Sequence, residues 1–164
     1  MKKKGFTLVE LMIVIVIIGI LAAIAIPKFA DMVDKSKEGA TKGQLTSLRS
    51  ALNIYYSDNE GKYINVKEQT TTVSSTTVLQ NYLVPKYIAS IPVAKLPRKN
   101  NNHNCTPESS IVYAVDFPTA NVKDSGDNTG GWAYDGKETN SSWGDIRVNC
   151  SGKTLDLNHY WTEF

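Results

Sequence analysis

Residues 1–27 read MKKKGFTLVELMIVIVIIGILAAIAIP, and this stretch decides the fold. Lys2, Lys3 and Lys4 come first, then Gly5, then an apolar run broken by one acid, Glu10. From Leu11 to Ile26 there is no charged or strongly polar side chain. Counted from Phe6 the segment is about 21 residues, enough for a helix to span about 30 Å of hydrocarbon. The three lysines hold the amino end in the cytosol by the positive-inside bias. The rest of the chain then lies on the far side of the cytoplasmic membrane.

The chain has 164 residues. Removing this stem leaves about 137, enough for one modest domain with its own core. Basic residues number 18 and acidic residues 16, a net charge of +2. Without Lys2, Lys3 and Lys4 the count is 15 against 16, so the excess basicity is a membrane-orientation signal. It gives no support to a nucleic-acid partner. Two cysteines, Cys105 and Cys150, lie far from the apolar run. In an exported chain such a pair favours a disulfide over two buried thiols.

Three readings of the opening stretch compete. A plain signal anchor leaves Glu10 unexplained, because an acid at the centre of a membrane span costs about 2.5–3.5 kcal/mol. A cleavable secretory signal has its A-x-A pattern at Ala23 and Ala25. It leaves Glu10 equally unexplained. The third reading uses every odd residue. GFTLVE (5–10), followed by LMIVIVIIGILAAIAIPKF, resembles the class III signal of type IV pilins and of the pseudopilins of type II secretion. The pattern is a short basic leader, Gly, Phe, a Glu four positions after the Phe, a long apolar run, then Pro. It covers residues 1–56 strongly and the remainder in outline.

The resemblance implies that residues 1–5 are a leader, cut by a prepilin peptidase between Gly5 and Phe6. It implies that the new Phe6 amine is N-methylated and the apolar stem retained. Phe6 and Glu10 stand at i and i+4, a spacing that pairs side chains on a helix. In the family the acid is thought to meet the Phe amine of a neighbouring subunit, and either pairing lowers the cost of a buried carboxylate. Gly19 and Pro27 are the helix weak points of the stem. The resemblance makes the stretch between them one that loosens when a subunit leaves the bilayer.

After residues 6–27, the pattern over 28–57 becomes amphipathic. Phe29, Val33, Ala40, Leu48, Leu52 and Tyr55 fall near one helical stripe. Asp31 with Lys35, and Glu38 with Lys42, are acid-before-base pairs at i, i+4 on the exposed side. Asn59-Glu60-Gly61 stops the helix, with Gly61 suited to a left-handed turn. Residues 58–164 form a head. Val78–Tyr87 predicts a short helix ending before Pro85, within a segment similar to one in pilin heads. Strand signals are Ser110–Asp116, Gly131–Asp135, Asp145–Cys150 and, more weakly, Thr154–Leu157. The expected fold is α+β and pilin-like: a long amino-terminal helix packed on an antiparallel sheet of three or four strands, clamped by a Cys105–Cys150 bridge.

No catalytic constellation appears, and the chain reads as a non-enzyme. His103 and His159 have no partners by spacing, no phosphate-binding G-x-x-x-x-G-K-[ST] loop is present, and zinc signatures such as CxxC or HExxH are absent. No cofactor is expected. Asp124 and Asp127, in the oxygen-rich run DSGDN, are the one calcium candidate, against an ordinary turn. Sequons at Asn104, Asn140 and Asn149 read as chance in a bacterial setting.

The expected function is that of a structural subunit of a type IV pilus-like filament, polymerising with copies of itself through the helix. The resemblance implies a prepilin peptidase, a platform protein and an ATPase as partners. It implies residence in the inner membrane before assembly and in an extracellular pilus afterwards, serving adhesion, motility or secretion. A periplasmic pseudopilin of type II secretion is the first alternative. A signal-anchored binding module that does not polymerise is the second.

Overall fold

The computed structural model describes residues 5–66, 76–97, 105–114, 130–155 and 159–161. One helix dominates it. α1 (Leu8–Asp58) is continuous through Pro27. Its 51 residues give a rod about 77 Å long at 1.5 Å per residue. Asn59 closes the helix, its N–H donating to the Tyr55 carbonyl, and Glu60 and Gly61 follow with positive φ. The predicted stop signal thus acts where it stands.

The head follows as α2 (Thr76–Leu83), β1 (Ala94–Lys95), β2 (Glu108–Ser109), β3 (Val112–Ala114), β4 (Trp132–Tyr134) and β5 (Ile146–Val148). β1 and β2 form an antiparallel pair, and β3, β4 and β5 form a second sheet in that order. β4 runs antiparallel to β5 but parallel to β3, so the expected all-antiparallel sheet is corrected to a mixed one. The reason is the connection. Residues 115–131 join β3 to β4, long enough for the crossover that a parallel pair requires, where a hairpin would need only a short turn.

β4 is the centre of the head. Trp132, Ala133 and Tyr134 are all fully buried, so both faces of this strand are covered. Its polar tips are satisfied: Trp132 Nε1 donates to the Pro92 carbonyl at 2.8 Å and the Tyr134 hydroxyl to the Ile64 carbonyl at 2.9 Å. Burial pushes the Tyr134 phenol well above its ordinary pKa. Gly130 and Gly131 lead into the strand at φ of 76° and 81°, and a Cβ at either would strike the Thr106 or Ile111 carbonyl oxygen.

The core joins this sheet to only part of α1. Leu45, Leu48, Ala51 and Leu52 are buried, with Tyr55 packed at the edge. Phe29, Val33 and Ala40, expected on the same stripe, are exposed. Several polar contacts fix the helix to the head. Thr41 is fully buried and its hydroxyl exchanges hydrogen bonds with Lys95 of β1. Glu38 pairs with Lys42 at 2.8 Å, as its i, i+4 spacing predicts, but it is turned to the head and not to the exposed side, accepting from the Leu155 N–H at 3.0 Å. Arg49 donates to the Ile146 carbonyl of β5 at 3.0 Å.

Cys105 and Cys150 form the disulfide expected from the sequence, their Cα atoms 5.8 Å apart. It ties the segment before β2 to the residues after β5. The weak strand signal at Thr154–Leu157 gives no strand among the described residues; Lys153 instead forms an isolated antiparallel bridge to Tyr160.

Candidate functional site

The helix begins two residues later than the Phe6–Glu10 spacing assumes. Thr7 is the N-cap, in extended conformation, and Leu8 is the first helical residue. Gly5 and Phe6 therefore precede the helix, and both are exposed. The Thr7 hydroxyl accepts from the Glu10 N–H at 3.2 Å. Glu10 Oε2 accepts from the Thr7 N–H at 2.9 Å and from its hydroxyl at 2.7 Å. This is a capping box, in which two orphan donors of the first turn are satisfied reciprocally. Thr7-Leu8-Val9-Glu10 carries the S/T-x-x-E signature in the sequence, and Thr7 is the residue the motif reading passed over. Both side-chain bonds fall on Oε2; Oε1 has no partner among the described residues.

Beyond the cap the apolar run has no protein cover. None of the most apolar stretch of α1 is buried. Leu8, Leu11, Ile15, Ile18 and Leu21 are each more than half exposed. Gly19 has open space around it, and a side chain there would meet nothing within 4 Å. Such a continuous apolar surface on a folded chain marks a region made for lipid or for another protein. By length and composition this helix is able to cross a membrane. The described contacts of the head with α1 include Lys37, whose Nζ stands 4.0 Å from Glu108 Oε1, and Glu38, while the large apolar side chains of residues 8–26 stay exposed.

The comparisons agree with this geometry. The prokaryotic N-terminal methylation motif matches residues 1–26. The match is confined to the amino-terminal region. The chain is 52% identical over 54 residues to the type IV narrow pilus major component PilA5 of Thermus thermophilus, covering 33% of this chain and 47% of that one. It is 46% identical over 70 residues to the type IV major alpha-pilin of Moraxella bovis, covering 43% of each. It is 41% identical over 58 residues to the type II secretion system core protein G of Pseudomonas aeruginosa, covering 35% of this chain and 41% of that one. The chain spans less than half the length of each of these relatives. No solved structure matches it.

Other candidate residues fall out as follows. Asp124 and Asp127 lie outside the described residues. Among the described residues no group of three or more His, Cys, Asp or Glu side chains is placed to hold a metal ion. Asn104 also lies outside them. The Asn140 amide is held by both carboxylate oxygens of Asp135 at 3.0 Å, and Asn149 is buried. Neither presents a free amide to a glycosyltransferase once the head has folded.

Proposed function

We propose that the chain is a structural subunit of a type IV pilus-like filament. The observation that carries this reading is the uncovered apolar stretch of α1, headed by a methylation motif and capped at Thr7 and Glu10. A prepilin peptidase cuts between Gly5 and Phe6, and the new Phe6 amine is methylated. The stem rests in the inner membrane until a platform protein and an ATPase extract it. It then packs against the stems of other copies in the filament core, with the heads outside. Burial of the apolar stems drives assembly, because it removes their surface from water at about 25 cal/mol per Å² where lipid no longer covers it.

Glu10 sets the register. In an apolar core a lone carboxylate is costly, and a methylated ammonium from the next subunit removes that cost. Thr7 helps by holding Oε2, so that the carboxylate is oriented before the neighbour arrives and Oε1 is left to receive it. Gly19 and Pro27 are where the rod loosens during extraction.

A pseudopilin of type II secretion shares the leader and stem, and the similarity to core protein G favours it as the second reading. In that case the polymer is short and periplasmic. Glu10→Ala separates both from a non-polymerising anchor. We expect normal leader cleavage with filaments lost or mis-registered by electron microscopy. Normal filaments from Glu10→Ala would refute the pairing.

A further inference from the structure

We propose that Tyr56 and Tyr63 form an oxidative modification site, where a one-electron oxidant joins the two rings as dityrosine. Tyr56 lies in the last turn of α1, and Tyr63 follows the stop at Asn59–Gly61. Their ring centroids are 4.5 Å apart, with an interplanar angle of 33°. Among the described aromatic pairs this is the one in which the rings face each other. Tyr55 meets Tyr82 and Tyr87 edge-on at 6.1 and 5.4 Å, and Tyr63 meets Trp143 edge-on at 5.9 Å.

The turn between the two tyrosines holds this placement. The Gly61 N–H donates to the Tyr56 carbonyl at 3.0 Å and the Lys62 N–H to the Asn59 carbonyl at 3.1 Å. Gly61, at a φ of 77°, passes beside the Tyr56 phenol, where a Cβ would stand 3.3 Å from its oxygen. Gly144 lies against the Tyr63 ring, and a Cβ there would strike it. The next residue, Ile64, is buried, and its carbonyl accepts from the Tyr134 hydroxyl at 2.9 Å. Tyr63 is thus anchored to the core. Tyr56 is 39% exposed, open to an oxidant and able to change rotamer on the ps–ns timescale.

The step balances within the pair. Each phenol gives up one electron and one proton. The two phenoxyl radicals couple through ring carbons ortho to the hydroxyls, and the hydrogens on those carbons move to the oxygens, restoring both phenols. One carbon–carbon bond forms and two hydrogens are lost overall. Two equivalents of a one-electron oxidant, such as a peroxidase, take the electrons, and the protons pass to water. The Cys105–Cys150 disulfide marks the compartment as oxidising. Proximity in a fixed geometry favours coupling within the pair over coupling between chains.

The bond protects the junction of rod and head. Helix ends fray and exposed turns are nicked by proteases. Glu60, Gly61 and Lys62 are exposed. Both ends of the disulfide lie on the head side of this turn, so a cut here separates rod from head covalently. A Tyr56–Tyr63 bridge keeps them joined, on a polymerised head and on a membrane-anchored monomer alike.

The test is oxidation of the full chain, as a detergent-solubilised monomer, by a photoactivated ruthenium complex with persulfate, a one-electron oxidant that works in buffer and in urea. Trypsin cuts after Arg49, Lys62 and Lys67, so the two tyrosines fall on separate peptides, 50–62 and 63–67. We expect mass spectrometry to find these peptides linked, lighter than their sum by the two lost hydrogens, with blue dityrosine fluorescence. Tyr56→Phe and Tyr63→Phe should each abolish the linked pair, whereas Tyr55→Phe, on the same peptide as Tyr56, should keep it. Unfolding in urea before oxidation should remove most of it. Absence of the linked pair, coupling only between chains, an undiminished yield in urea, or persistence in Tyr56→Phe overturns the proposal.

Discussion

Thr41 in the middle of the long helix and Lys95 in the first strand are joined by two hydrogen bonds through one hydroxyl. Thr41 Oγ1 donates to the Lys95 carbonyl at 2.6 Å and accepts from the Lys95 N–H at 2.9 Å, across 54 residues of chain. The contact marks where the rod enters the head. On the amino-terminal side α1 is exposed; from Thr41 onward it carries the core residues Leu45, Leu48 and Leu52.

Replacing Thr41 tests that junction. Thr41→Val keeps the shape but leaves two backbone groups of Lys95 unpaired beside a buried side chain. We expect a loss of about 1–3 kcal/mol in chemical denaturation of the head signal. Thr41→Ser retains the hydroxyl and should recover most of it. Equal loss in both variants would show that the methyl group, not the hydroxyl, matters here.

The disulfide makes a separate prediction. Cys105 and Cys150 are 45 residues apart in sequence, and their bond closes a loop holding β2 to β5. The chain-entropy account assigns about 4 kcal/mol to a loop of this length. The double change to serine should therefore lower the unfolding free energy by about 2–4 kcal/mol and speed proteolysis of the head. Stability equal to that of the parent would contradict it.

Asp58 supplies a pH dependence. It is the last residue of α1, where an acid opposes the helix dipole. Lys86 Nζ donates to its Oδ2 at 3.1 Å and the Tyr87 hydroxyl at 3.2 Å, which together hold the carboxyl below its ordinary pKa. Lys86 is raised, by Tyr87 and then by Asp58. As pH falls, the unfolded chain takes up the Asp58 proton first. The contribution is therefore complete above the ordinary Asp value of about 3.9 and disappears as pH drops through the lower folded value. Asp58→Asn should lower the Tm slightly at pH 7, and the gap should close in the acid range. A gap constant down to pH 2 would mean that the charge is irrelevant to this contact.

Much of this was legible in the sequence, for identifiable reasons. The long helix, its stop at Asn59–Gly61 and the Glu38–Lys42 pair follow from local spacing, which the chain carries wherever it is placed. The disulfide follows from export and an even cysteine count. The buried stripe was overextended to Phe29 and Val33 because periodicity marks apolar positions and not what covers them. The parallel pairing of β3 with β4 is not legible because strand direction is a tertiary property, which local alternation does not encode. β1 and β2 are two residues each, too short to leave a periodic signal. In the site, Glu10 stood out as an acid among apolar residues, whereas its partner Thr7 looked ordinary until the cap was seen.

The central claim is that the exposed stem belongs to a processed filament subunit. The most direct measurement is the intact mass of the mature protein purified from cells making the wild-type chain. The account predicts a chain that begins at Phe6, lacks Met1–Gly5 and carries one added methyl group on its amino-terminal nitrogen. An intact leader with Met1 retained, or a chain that starts at Ile26 after the A-x-A pattern, would contradict it.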